Sequence, residues 1–229
     1  MEDIKKIGFK VITEIKRPDK ALVEGFRGLP TANVDDCMGK NAAVDPSIKA
    51  RNKATVLGTA ITVKSPARDN TMIHKAIDMA QPGDVIVIAA DGGMECALCG
   101  DIMMNYCKLL GLGGLIIDGC IRDIDEISQM EFPVFAKGIN PNGPLTKTGP
   151  GEINVPVMFG GKIVCPGDII LGDETGLIVI KQDEAAEILK NAKALNKKES
   201  ELLENLAKGI KLERSWIDEV LKKNGCEIV

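Results

Sequence analysis

The sequence predicts an α/β fold, and three observations carry that expectation. Between residues 53 and 137, strand-like apolar runs alternate with segments of helical periodicity. The runs are apolar throughout rather than at every second residue, which marks strands covered on both faces in a largely parallel sheet. Beyond a loop rich in Gly, Pro and Asn, the pattern changes to short strands and tight turns, and then to one long amphipathic helix.

Taken in order, KATVLGTAITVKS reads as a β pair or one long strand, NTMIHKAIDMA as a helix, and QPGD as the turn into the strand VIVIAA. GGMECALCGDIMMNYCKLLG holds the next helix, closed by GLGG; GLIID is a strand, DIDEISQM a short helix and FPVFAK a strand. After GINPNGPLTKTGPGE come INVPVMF, GKIV, PGDIILG and GLIVI, expected to build a second, more β-rich layer. Pro-Gly-Asp precedes a strand twice, at Pro82 and Pro166, which type II turn chemistry explains more simply than a duplication. In DEAAEILKNAKALNKKESELLENLAKGI, Ile188, Ala192, Leu195, Leu202 and Leu206 recur at helical spacing, so a long helix is expected, with a neighbouring subunit as one candidate to cover it. No linker or low-complexity tract divides the chain, and one domain over 1–229 is expected, with 183–229 as a helical extension.

With 229 residues, 45% apolar and 27% charged, the chain can bury a sizeable core, and disorder is not indicated. The net charge of -4 and a pI near 5.3 give no electrostatic reason to expect a nucleic-acid partner. The segment MEDIKKIGFKVITEIKR lacks the apolar stretch of a signal peptide, and no run approaches the roughly 20 residues of a membrane helix. A cytoplasmic protein with no membrane partner is expected. Seven cysteines, an odd number set in apolar segments, read as reduced, packed thiols.

The chemistry concentrates in one spacing: Asp101, then 20 residues, then Arg122 and Asp123. Asp101 opens a helix and the Arg-Asp pair follows a strand, so both acids lie at the sheet edge where α/β proteins bind ligands. Two carboxylates and a guanidinium there can hold a divalent cation and steady a developing oxyanion. A plainer reading stands beside it: Asp101 caps one helix, while Asp123 and Glu126 form an acidic capping box on the next.

The segment PGDVIVIAADGGMECALCGDIMMNYCKLLGLGGLIIDGCIRDIDEI resembles the RraA-like family, which includes class II pyruvate aldolases acting on 4-hydroxy-4-methyl-2-oxoglutarate and 4-carboxy-4-hydroxy-2-oxoadipate. TANVDDCMG, DNTMIHKAI, FPVFAKG, NVPV, PGDIILGDETG and KKES extend the resemblance over most of residues 30 to 210. It implies a swivelling β/β/α sandwich, assembled as trimers or dimers of trimers with sites between subunits. It also implies that Asp123 ligates Mg2+ or Mn2+, that Arg122 faces the 2-oxo oxygen of a pyruvyl unit, and that Asp101 orients a metal-bound water. The amides of Ile102 and Met103 would hold the substrate carboxylate, and Lys147 would supply a basic contact. Asp36 and Glu199 would come from a neighbouring subunit, although each of these three charges also reads as a solvated surface group. The implied reaction is retro-aldol cleavage of a small 2-oxo acid, with oxaloacetate decarboxylation as a side activity.

Other signals weigh less. Cys96 and Cys99 form a C-x-x-C with no second pair, in a segment read as helical; His74, the only histidine, excludes a multi-histidine metal site; and GLGG precedes a strand instead of following one. Some RraA-like proteins bind ribonuclease E and inhibit RNA processing, so a non-catalytic regulator is the alternative. Retention of the acid after the arginine, Asp123, favours catalysis.

Overall fold

A computed structural model of the chain describes residues 7–227. Two compact units are present, Met1–Ala192 and Lys193–Val229.

The first unit is built on a mixed 10-stranded sheet. Its centre is parallel: β3 (Val56–Lys64), β4 (Asp84–Ala89), β6 (Gly114–Ile121) and β7 (Val134–Ile139) lie side by side. β4 and β6 are buried along their whole length, which is why they read as continuous apolar runs. Helices α3 (Thr71–Met79), α4 (Asp101–Leu109) and α5 (Ile124–Ser128) supply the crossovers and share one core with Ile86, Leu115, Ile117 and Val134. On the other face, Val85, Val87, Ile116 and Phe135 pack against the antiparallel hairpin of β9 (Val157–Phe159) and β10 (Lys162–Val164). The order hairpin, sheet, helices gives the β/β/α sandwich.

The expected second β layer is smaller than the sequence indicates. β8 (Gly151–Ile153), β11 (Ile169–Asp173) and β12 (Gly176–Ile180) join the main sheet, and only β9 and β10 form a separate one. The cause is the length of β3: β11 pairs with Val56–Thr59 and β8 with Val63 and Lys64, so two later segments share one edge of a nine-residue strand. Short elements absent from the sequence reading complete the unit: β1 (Phe9–Val11) beside β8, α1 (Lys20–Glu24), α2 (Thr31–Asp36) and β2 (Lys49–Ala50) beside β7. Phe26 and Val34, from the segments of α1 and α2, make a third core with β11 and β12.

Both Pro-Gly-Asp segments are the turns expected of them. Gly83 and Gly167 have φ near +90° (90° and 91°), and the Asp N–H bonds back to the first carbonyl of the turn, Asp84 to Gln81 at 2.9 Å and Asp168 to Cys165 at 3.1 Å. Each Asp carboxylate also accepts the N–H three residues earlier, at 2.8 Å in both turns. A cation then neutralises each acid: Arg17 grips Asp84 with two nitrogens, and Lys181 lies 2.7 Å from Asp168.

Helix α6 (Ala185–Ala207) contributes Ala185, Ile188 and Ala192 to the third core of the first unit. In the second unit the stripe read from the sequence continues through Leu202 and Leu206, which are exposed. The same unit holds α7 (Trp216–Lys223), which has no buried residue. Among the described residues, no helix is long and apolar enough to cross a membrane.

Candidate active site

The C-terminal edge of the parallel strands brings the two halves of the motif together. The segment of Cys96 and Cys99, which reads as helical in the sequence, is extended: Ala97–Cys99 forms a short strand, β5, parallel to the end of β6. Bonding explains the change: Ala97 N–H donates to the Asn142 carbonyl and Arg122 N–H to the Cys99 carbonyl, so the segment is held extended at both ends. The helix α4 then starts at Asp101, beside the Arg122-Asp123 pair at the end of β6.

Gly100 lies between these two strand ends. Its φ of -140° suits any residue, but a Cβ there would run into the Asp123 carboxylate and crowd Arg122. The glycine is required for space, and it keeps the cleft open. Asp123 has φ 60° and ψ 45°, a left-handed conformation that Asp tolerates better than most residues. The plainer reading is met only in part: α5 has no cap bond from Asp123, while Asp101 Oδ1 engages the first-turn N–H of Ile102 in α4. Asp123 Oδ2 instead accepts the backbone N–H of Asp101 at 3.2 Å, so it caps the neighbouring helix across the cleft. The Arg122 Nε lies 3.4 Å from the same oxygen, with 46% of the arginine side chain and 33% of the aspartate exposed.

Asp101 occupies the first turn of α4, and its Oδ1 accepts the N–H of Ile102 at 2.7 Å. One of the two amides expected to hold a substrate carboxylate is therefore engaged within the chain. The N–H of Met103 belongs to the first-turn donors for which α-helical geometry supplies no partner. The cleft itself, about 60 Å³, is lined by Asn70, Leu98, Gly100, Asp101, Ile102, Met103, Arg122, Asp123 and Pro144, among others. Asn70 was not singled out from the sequence. It is 5% exposed, its amide nitrogen donates to the Leu98 carbonyl at 3.0 Å, and its Oδ1 has no hydrogen-bond partner. The only signal for it is its position as N-cap of α3 directly after a strand connection.

Two further expected residues, Lys147 and Asp36, do not line the cleft, and a third, Glu199, belongs to the second unit. Lys147 is exposed and does not line the cleft; burial and then the charge of Lys147 lower the pKa of His74, which places the lysine toward α3. Asp36 ends α2 and faces Lys40 at 3.7 Å, outside the cleft. Glu199 belongs to α6 in the second unit.

The thiols are structural in character. Cys96, Cys99, Cys107 and Cys120 are buried and unpaired, and burial pushes the Cys107 thiol up to about 12 and the Cys99 thiol up strongly. A larger depression of about 900 Å³ at the opposite sheet edge has a charged rim that is partly paired internally, Arg17 with Asp84 and Arg27 with Glu24. It contains none of the expected site residues.

A protein of Halalkalibacterium halodurans, provisionally named 4-hydroxy-4-methyl-2-oxoglutarate aldolase, is 39% identical over 169 residues, covering 73% of this chain and 80% of the relative. An uncharacterised protein of Methanocaldococcus jannaschii is 40% identical over 161 residues, 69% of this chain and 76% of its own. Among solved structures, Streptomyces coelicolor RraAS2, described as an unusual member of the RNase ES inhibitor RraA protein family, superposes with a TM-score of 0.74 at 27% identity, covering 82% of this chain and 98% of that one. Residues 31–179, which include the sheet centre and all the cleft residues named above, match the family model described as Aldolase/RraA, and the chain belongs to the RraA-like family.

Proposed function

We propose that the protein is a divalent-metal-dependent lyase that cleaves a 4-hydroxy-2-oxo diacid to pyruvate and a second 2-oxo acid, with oxaloacetate decarboxylation through the same enolate. The observation that carries this reading is the meeting of Asp101, Arg122 and Asp123 around the space left by Gly100. The name of the Halalkalibacterium relative supports the substrate class.

The residues fit Mg2+ or Mn2+. One partly exposed carboxylate, Asp123, borders a space that a Cβ would fill, and a hard cation that retains most of its waters is commonly held by one or two protein carboxylates. Among the described residues, no group of three His, Cys, Asp or Glu side chains gathers to make a richer site. Bound beside Asp123, the ion would supply Lewis-acid polarisation of the 2-oxo acid.

The chain's own groups do the rest. Arg122 presents a fixed positive charge to the C2 oxygen, where negative charge develops as the C3–C4 bond breaks. Asp101 orients the water that takes the C4 hydroxyl proton; the C4 oxygen becomes the carbonyl of the second product, and the bonding pair passes into pyruvate enolate. The substrate carboxylate meets the N-terminus of α4, where the Met103 N–H and the helix dipole favour an anion, and Ile102 N–H joins once Asp101 Oδ1 releases it. Asp36 and Glu199 enter as acids of a neighbouring copy in a trimer or a dimer of trimers, and Lys147 as a basic contact from its loop.

A protein-binding regulator is the second reading, favoured by the description of the Streptomyces neighbour. Inhibition by surface binding does not call for a carboxylate held in a left-handed conformation behind an arginine, so Asp123 weighs toward catalysis. The test is pyruvate release from oxaloacetate and from 4-hydroxy-4-methyl-2-oxoglutarate with Mg2+ or Mn2+, using EDTA as the control. Absence of metal-dependent turnover on both substrates defeats the proposal.

A further inference from the structure

Asp69 lies in the connection between β3 and α3 and is 2% exposed, yet no step above uses it. Its Oδ1 accepts the N–H of Thr71 at 2.8 Å, and so anchors the start of α3. Its Oδ2 faces the loop after β7: it accepts the N–H of Thr148 at 2.6 Å, the N–H of Gly149 at 3.2 Å, and the hydroxyls of Thr146 at 3.1 Å and Thr148 at 3.3 Å. Leu145 and Thr146 also donate their N–H groups to the Arg68 carbonyl, at 3.0 and 3.2 Å. Burial alone would raise the carboxyl pKa; the donors from Thr71, Gly149 and Thr148 outweigh it and hold the acid far below its usual range, so it stays ionised.

The loop that Asp69 holds is one wall of the cleft. Pro144 lines it, and the backbone at Gly143 approaches Arg122 so closely that a Cβ there would lie 3.0 Å from Nη1. The residue next to Asp69 is Asn70, another wall residue, whose amide is fixed on the Leu98 carbonyl. One buried carboxylate therefore ties together two segments that line the cleft with Arg122.

We infer that Asp69 is a positioning residue, which sets the orientation of the Arg122 guanidinium by pinning loop 143–149 and the Asn70 segment to each other. The part of this inference that concerns turnover rests on the aldolase reading; the part that concerns the loop does not. In Asp69→Asn the charge is lost and one oxygen becomes an NH2, so the side chain gives up either the Thr71 amide or the loop amides, and the charge-assisted hold on Thr148 and Gly149 weakens whichever way it turns.

The experiment pairs Asp69→Asn with Asp168→Asn, which loosens a buried carboxylate turn remote from the cleft. Amide hydrogen exchange of residues 145–149 should quicken by about tenfold or more in Asp69→Asn and not in Asp168→Asn. With Mn2+ and oxaloacetate, kcat should fall about tenfold or more in Asp69→Asn, since small misplacements of a catalytic group are costly, and stay within about twofold in Asp168→Asn. Should Asp69→Asn not fold, the double variant Thr146→Val, Thr148→Val removes two of the donors and leaves the acid, and the same readouts apply. Unchanged exchange in the loop overturns the inference, and so does a loosened loop with kcat equal to that of the control. If the wild type has no turnover, the proposed function fails, and the exchange measurement alone decides whether Asp69 holds the loop.

Discussion

The carboxylate of Asp123 accepts the backbone N–H of Asp101 at 3.2 Å, although 22 positions separate them in the chain. This contact turns two helix starts into one site: the acid at the end of β6 satisfies a free donor of α4 and keeps its own position by doing so. A purely structural cap would sit on its own helix, and α5 is left without one. The geometry thus keeps the Asp123 carboxylate in the cleft at a cost in left-handed backbone.

Asp123→Asn separates capping from charge. Asn tolerates a left-handed φ and retains an acceptor for the Asp101 N–H, so stability should change by less than about 1 kcal/mol. Pyruvate release should fall by about a hundredfold or more, and Mn2+ binding should be lost, as read by calorimetric titration of the folded variant. Retained metal-dependent turnover would remove Asp123 from the ligand role.

Gly100→Ala isolates space from backbone. At φ -140° alanine adopts the conformation freely, so any defect comes from its methyl group meeting Asp123 and Arg122. Overpacking of this kind costs about 1–3 kcal/mol. Displacing the two side chains should lower kcat by about tenfold or more. Thermal unfolding and kinetics that both match the wild type would show that the cleft is looser than the contact distances imply.

Arg122→Lys keeps the charge and loses the planar fork. If the guanidinium meets the developing oxygen, kcat should fall by about a hundredfold, with a smaller change in KM, because the interaction strengthens as the bond breaks. The pair it forms with Asp123 is half exposed and contributes little stability, so the melting temperature should hardly move. A variant with near wild-type kcat would take Arg122 out of the mechanism.

What could be read in advance depended on how local each feature is. β4, β6 and α3 announce themselves through unbroken apolar runs or helical spacing, and the turns at Gly83 and Gly167 through their chemistry. Ala97–Cys99 reads as helix in the sequence because a three-residue strand carries no periodicity of its own and exists only through partners at Asn142 and Arg122. The same holds for the site. The spacing of Asp101, Arg122 and Asp123 is legible because both strand ends reach one sheet edge, whereas the cap from Asp123 to α4 requires knowing that β5 lies beside β6. Asn70 comes from a different crossover, and the placement of Lys147 near His74 follows from a loop that Asp69 holds. No sequence interval encodes either.

Asp118 offers a test of the sheet interior that is independent of the cleft. It lies on β6 with 8% exposure and accepts the N–H of Ala90; burial, with Asp91 adding to it, raises its pKa above the ordinary carboxylate value despite the Ala90 and Gly92 amides and Lys137. A raised folded pKa means that the native state binds more protons than the unfolded state between about 3.9 and the folded value, so stability falls as pH rises through that window and stays reduced above it. Asn at 118 preserves the acceptor for Ala90 and has no charge to bury. Relative to the wild type, Asp118→Asn should therefore gain stability at pH 7, and gain little or none near pH 4, in chemical denaturation at the two pH values. An equal effect at both would mean that the buried carboxylate titrates as it does in the unfolded chain, and that the loop amides of Ala90 and Gly92 offset the whole cost of its burial.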